Sequence, residues 1–327
     1  MIMENKAGIL SLNIPQNKRI ICVSDVHGHL NIFKKLLDKV RFCESDILIL
    51  AGDICIGRHN NGQNLQTLEF SMELLERGNV YAVRGNWELP ERLPADWDGA
   101  VRMRAMEWFE SLPHIIETRD YIFVHAGLTS DDLSEQDAEE CMRIGASSVK
   151  LEKYIIAGHV PTLNRSGKLL SCNPIIETTR RHISIDGGLD KWGCGQLNAL
   201  IIQNGAFSYE SDDDLPVIRA NKAQRARGGD LSIVWTKDKE VRIIRAGAEF
   251  SVCKHTKSGK TIKLSNESLN ADENGGLWCS LDTDYYLPVD AGDEITVLHT
   301  YGDRIFAKKD GILGYYKTNG KPEKQNE

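Results

Sequence analysis

Ile20-Ile-Cys-Val-Ser-Asp25-Val-His27-Gly28 is the stretch on which the reading of this chain turns. Its apolar and small residues ahead of a polar pair describe a buried strand, and the glycine ends it. Residues two apart point to one face of an extended segment, so Asp25 and His27 are placed to converge. A carboxylate and an imidazole aimed at one point suit a divalent transition metal. Asp-x-His also arises at strand ends by chance, with both groups simply solvated, so the pair needs company.

Company follows at four further places: Gly52-Asp53, Gly85-Asn86, Val124-His125-Ala-Gly-Leu128 and Ala157-Gly158-His159, each behind a short apolar run. Five strand ends thus offer six oxygen or nitrogen ligands: Asp25, His27, Asp53, Asn86, His125 and His159. In order and spacing these blocks resemble the calcineurin-like metallophosphoesterase superfamily, and within it the bacterial relatives of the phosphoprotein serine/threonine phosphatases. The resemblance runs from about Arg19 to Ile202. Five ordered blocks carry far more weight than any one motif.

Between the blocks, Leu30–Val40, Leu65–Arg77 and Ala100–Leu112 have the spacing of amphipathic helices. Asp46–Leu50 and Val80–Val83 read as strands, and the alternation predicts a largely parallel α/β sheet with ligands at its carboxyl edge. Tyr121–Val124, Ile155–Ala157, His182–Ile185 and Leu197–Ile202 read as short strands of a second sheet. The resemblance implies the same architecture, two sheets face to face with helices outside. Beyond Gly205 the texture turns polar, and from Val241 six short alternating runs separated by glycine turns predict a small antiparallel barrel, faintly SH3-like in its last part. The expected organisation is an N-terminal extension over 1–18, the metallophosphoesterase domain over 19–210, a linker over 211–240, a small all-β domain over 241–320 and a disordered tail over 321–327.

Bulk properties narrow the function. With 327 residues and 41% hydrophobic content a packed core is assured, and a net charge of −7 argues against non-specific nucleic-acid binding. No apolar run approaches the ~20 residues of a membrane span. The eight cysteines are scattered without a Cys-x-x-Cys, which fits a reduced, cytoplasmic protein.

The resemblance implies that Asp25, His27 and Asp53 hold one divalent ion and that Asp53, Asn86, His125 and His159 hold another, with Asp53 bridging. Mixed oxygen and nitrogen donors favour Mn²⁺, Fe²⁺ or Zn²⁺. Water between two such cations loses a proton near neutral pH, giving a bridging hydroxide as nucleophile. Arg58 and Arg143 are the candidates to clamp phosphoryl oxygens, a solvated surface arginine being the competing reading of each. Trp87 departs from the family, whose phosphomonoesterases carry a histidine after the asparagine. Either His59 supplies the proton, or the leaving group needs none, or turnover is slow; alternatively the indole forms a wall of the substrate pocket. Three functions stay open: a phosphomonoesterase such as a protein serine/threonine phosphatase, a phosphodiesterase or dinucleoside-polyphosphate hydrolase, and a phosphate-recognising scaffold whose C-terminal barrel binds a protein partner.

Overall fold

The computed structural model describes residues 6–59, 62–145, 147, 149–191 and 193–318, and these form two compact units. The expected tail over 321–327 and Trp192 lie outside the described residues.

In the first unit, Ile20–Val23, Ile47–Ala51 and Val80–Val83 run parallel, linked through the helices Leu30–Lys39 and Asn64–Leu75. Leu197–Gln203 pairs antiparallel with the first of these strands and Ala206–Asp212 closes that edge, completing a five-stranded sheet. The second sheet has six strands, in spatial order Ile9–Ser11, Ile115–Glu117, Tyr121–Val124, Tyr154–Ala157, His182–Ser184 and Ile175–Glu177.

Why the apolar runs show no alternation is clear from their surroundings. Ile20, Cys22, Ile49, Ala51 and Leu200 of one sheet share a buried cluster with Ile116, Phe123, Ile156 and Ile183 of the other. The intervening residues Ile21, Val23, Leu48 and Leu50 turn the other way, onto Phe33 and Leu36 of the first helix, Leu68 of the second and Phe109 of Gly99–Ser111. A strand covered on both faces has no reason to alternate. Each fully buried Ile or Leu contributes roughly 1.5–3 kcal/mol, so this double layer fixes the register of every strand end that carries a candidate ligand.

The second unit consists of Leu163–Cys172 together with the chain from Asp214 onward. Its strands are antiparallel and fall into a four-stranded sheet, a five-stranded sheet and the pair Ser232–Val234 with Leu281–Thr283. Among its described residues one core lies around Tyr316, Ile295 and Ile305 and another around Val241, Cys253 and Leu264. The small all-β domain read from sequence is present, its strands divided among three sheets. The stretch read as linker over 211–240 carries the strands Val217–Arg219 and Ser232–Val234, and Phe250–His255 is the middle strand between Glu240–Arg245 and Thr261–Ser265. Three-residue strands are too short to show a period, and Leu163–Cys172 joins this unit through pairings such as Cys172 N–H to Gly311 O (2.9 Å) that local sequence does not announce. Among the described residues no helix is long and apolar enough to cross a membrane.

Candidate metal centre

Asp25 and His27 do not lie on the strand. It ends at Val23, and the two residues sit in a turn with φ of 55° and 47°. Their convergence comes from left-handed backbone, not from strand alternation. Asp53 (φ 53°) and His159 (φ 65°) share that conformation, which costs a non-glycine residue about 1–2 kcal/mol. Four strained residues at one place are held by bonds between the turns: Asp25 N–H to Gly52 O (3.0 Å), His27 N–H to Asp53 O (2.9 Å), and His159 N–H to Asp25 Oδ2 (3.0 Å). Gly52 is required by proximity as well as by its φ of 83°, since a Cβ there would stand 2.6 Å from His125 Nδ1.

Glu88, fully buried, ties the loops from beneath. Its Oε2 accepts from Asp53 N–H (2.8 Å) and Gly85 N–H (2.9 Å), and its Oε1 accepts from Ile54 N–H (2.8 Å). Burial, then the neighbouring Asp53, push its carboxyl upward.

The ligand atoms form two groups, Asp25/His27/Asp53 and Asp53/His125/His159, with the atoms of each group within 4.8 Å of one another. Asp53 belongs to both. Asn86 joins the second, its Oδ1 3.0 Å from His125 Nε2. The ring nitrogens decide what this arrangement asks for. His125 Nδ1 faces the Ala51 carbonyl at 2.9 Å and His27 Nδ1 faces that of Ile56 at 2.9 Å, so these nitrogens carry the protons. His125 Nε2 then turns its lone pair toward Asp53 Oδ2 (3.3 Å) as well as toward Asn86, and His27 Nε2 faces Asp25 and Asp53 at 3.8 and 3.7 Å. Electron-rich atoms meeting in this way repel unless a cation lies among them.

A second proton on His125 is one such cation. Burial lowers its affinity for a proton, but Asp53, by charge and hydrogen bond, and then Asp25 push His125 up to about 10. Burial likewise works to raise Asp53, yet His125, His27 and the Trp87 N–H hold it down at about 2. His159 goes the other way, to about 4, through burial and the nearby His125. Asp25 is raised by burial foremost, and Asp186 is pushed up to about 8 by burial and then by Asp25. Carboxylates crowded into a buried space in this way suit divalent ions, and the backbone-held imidazoles have the outer-sphere support that metal-ligating histidines need. The donor set therefore fits a pair of divalent cations.

These residues floor a cleft of about 360 Å³ whose lining includes Arg58, His59, Trp87, Asp190 and Lys191. Asp190 accepts from the backbone N–H groups of Arg58 (3.1 Å) and His59 (2.9 Å), so it anchors that loop. Arg143 is not brought to the cleft by its side chain. Its guanidinium pairs with Glu139 at 3.0 Å on the surface of its own helix, and what it gives the centre is its backbone carbonyl, to which His159 hydrogen-bonds. The clamp expected of Arg143 is not seen here: its side chain is engaged by Glu139 one turn back on its helix and is not among the residues lining the cleft.

Residues 18–192, more than half of the chain, match the calcineurin-like phosphoesterase family. The chain belongs to that family. It is accordingly a hydrolase acting on phosphate esters, in a family that uses divalent metal ions. Similar solved structures include a protein serine/threonine phosphatase from Saccharomyces cerevisiae with similarity to a human phosphatase (14% identity, 65% of this chain and 86% of that one, TM-score 0.50). Others are a protein described as a putative diadenosine tetraphosphatase (20% identity, 64% and 99%, TM-score 0.43) and a metallophosphoesterase from Sphaerobacter thermophilus (14% identity, 60% and 88%, TM-score 0.37). At 14% identity the first of these likenesses speaks to the fold alone. A comparison with curated protein sequences returned no match.

Sequence reasoning passed over four residues that the geometry brings in. Glu88 stands three residues after Gly85, just beyond the Gly85-Asn86 block, and Asp186, Asp190 and Lys191 follow the strand His182–Ser184 in a stretch that contains the glycine pair Gly187-Gly188.

Proposed function

We propose that this phosphoesterase works with two divalent ions, Mn²⁺ or else Fe²⁺ or Zn²⁺, held by Asp25, His27, Asp53, Asn86, His125 and His159 with Asp53 shared. The single observation that carries the reading is the pair of ligand groups meeting at Asp53, each containing an imidazole whose far nitrogen is held by a backbone carbonyl. When bound, such a pair of cations supplies Lewis acidity toward phosphoryl oxygens and an acidified water.

The remaining work belongs to the chain. Arg58 and Lys191 line the cleft as cations for the non-reacting phosphoryl oxygens, and Asp190 fixes the Arg58 backbone so that its guanidinium is presented from a set position. His59 is the imidazole of the cleft outside the ligand groups and supplies the proton for a leaving oxygen that needs one. Trp87 offers only an indole N–H. With His59 as the acid, phosphomonoesters including phosphoserine are the first reading; a second, favoured by the lack of a titrating group at Trp87, is a diester or dinucleoside-polyphosphate substrate whose leaving group is already acidic.

A cytoplasmic setting is our reading as well, supported by eight free thiols, seven of them buried. The deciding assay pairs an aryl phosphate with its bis-aryl diester, Mn²⁺ added, alongside metal analysis of the purified protein. Two metal ions per chain with faster monoester hydrolysis fit the first reading, and faster diester hydrolysis the second. A protein that holds no metal and turns over neither ester would reduce it to a phosphate-recognising scaffold.

A further inference from the structure

The chain's net charge conceals a division. Residues assigned to the first unit carry 20 Lys and Arg against 30 Asp and Glu, and those of the second carry 20 against 17, so −7 separates into −10 and +3. The excess in the second unit is not spread evenly. In its five-stranded sheet Arg242 stands directly opposite Lys254, and Arg245 and Lys263 flank Val252 from either side. All four cations are exposed and, among the described residues, none of them has an ion-pair partner. Like charges placed opposite one another in a sheet cost stability, about 0.2–1 kcal/mol per pair, so packing alone gives no reason for them.

Beside these rows runs an alternation of cations and rings. Arg227 lies 4.0 Å from the centre of the Tyr286 ring, Arg304 lies 5.9 Å from Tyr286 and 4.9 Å from Phe250, and Lys263 lies 5.1 Å from Phe250. Arg304 is thus shared between two rings. Neither Arg227 nor Lys263 pairs with a carboxylate, and partial burial, then Arg304 and Arg245, hold the Lys263 ammonium below the usual lysine range; Glu249 and Asp303 are the acids that offset this.

We propose that this face of the second unit binds single-stranded nucleic acid along the strip Arg227, Tyr286, Arg304, Phe250 and Lys263. Arg227 and Lys263, which pair with no carboxylate, and Arg304, which shares Asp303 at 3.9 Å, offer a row of cations to a phosphodiester backbone. Guanidinium planes fixed against rings are flat, pre-ordered surfaces on which unpaired bases stack, which an acidic peptide would not use. Averaged over both units, the net charge of −7 conceals the cations of this face. The proposal stands apart from the reading of the metal centre.

The test is fluorescence anisotropy of the full-length protein with labelled 20-nucleotide single strands lacking terminal phosphates, as RNA and as DNA, across a salt series. Arg227→Gln/Lys263→Gln should weaken binding at least tenfold at low salt and reduce the slope of log affinity against log salt by roughly 1.4, at about 0.7 per lost phosphate contact. Aryl phosphate hydrolysis should be unchanged in that variant. Phe250→Leu, which removes a ring and no charge, should weaken binding several-fold with the slope unaltered. A preference between the two strands identifies RNA or DNA as the ligand. No binding at 50 mM salt, equal binding by the double variant, or displacement by poly-glutamate at equal charge would overturn the proposal, the last in favour of an acidic protein partner.

Discussion

The guanidinium of Arg58 lies over the indole of Trp87, 5.3 Å from its ring centre, and that of Arg92 lies 4.9 Å from the same ring. The indole also meets His27 edge-on at 5.2 Å. Trp87 is therefore already covered by the protein's own cations, and its best use is to hold Arg58 where phosphate must sit. The idea of a bare aromatic wall awaiting a substrate ring loses ground.

From this relationship we expect Trp87→Phe, which keeps a ring under Arg58, to stay within a few-fold of wild type. Trp87→Ala should raise KM about tenfold with a smaller change in kcat, since a partly desolvated cation–π contact is worth roughly 1–2 kcal/mol. Steady-state kinetics on an aryl phosphate check this. A loss confined to kcat would place Trp87 in the chemical step and refute the positioning role.

Asp53→Asn should abolish turnover while leaving the fold intact. Asn keeps the Oδ1 that accepts from Trp87 N–H at 2.8 Å but removes the charge common to both ligand groups. Metal analysis should show at most one ion per chain, and circular dichroism should match wild type. Two ions with near-normal rates would sink the shared-carboxylate assignment.

Much of this centre was legible because ligand residues follow apolar runs in a fixed order, and a strand buried on both faces is itself an apolar run. Glu88 shows what was not. A carboxylate that receives three backbone N–H groups looks in sequence like any other acidic residue, since its partners Asp53, Ile54 and Gly85 come from two loops. Arg143 shows the same limit: position between two histidine blocks does not reveal that Glu139, one turn back on the helix, engages its guanidinium. The left-handed turns at Asp25 and His27 were hidden because Asp-x-His reads equally well as extended chain.

Glu88→Gln tests that hub. An amide can replace one acceptor oxygen but sets an N–H₂ against backbone donors, leaving buried groups unsatisfied at a cost of roughly 1–3 kcal/mol. Thermal unfolding should shift down and metal affinity should fall with it. Unchanged stability would mean that the three hydrogen bonds are not sustained in solution.

Truncation should behave differently from what a simple linker would allow. Leu163, Leu170 and Cys172 are fully buried, and the segment that contains them belongs with the chain beyond Asp214. A chain ending at Asp213 leaves this segment without the strand it bonds to at Gly311 and Leu313. We expect such a truncation to be less soluble than full-length protein, and replacement of Leu163–Cys172 by a short polar loop to restore solubility. Equal behaviour of the two truncations in sedimentation and light scattering would refute the dependence.

Asp282 gives the second unit a pH dependence opposite to that of an ordinary salt-bridged acid. Burial raises its carboxyl to about 6, against the N–H groups of Thr283 and Ser265 and the hydroxyls of Tyr315 and Ser268, which all favour the charged form. The unfolded chain releases this proton near 3.9, so between about pH 4 and pH 6 the folded state holds a proton that the unfolded state lacks. Its contribution to stability is therefore fully present below about pH 4 and declines as pH rises through 6, by roughly 3 kcal/mol in all. Other acids impose their own trends, so the comparison must be with Asp282→Asn, which cannot titrate. Urea unfolding at pH 4.5, 5.5, 6.5 and 7.5 should show wild type losing ground to the variant over the lower steps and running parallel to it above. A wild type that gains on the variant as pH rises would mean that the four hydrogen bonds outweigh burial and that Asp282 is charged well below pH 6.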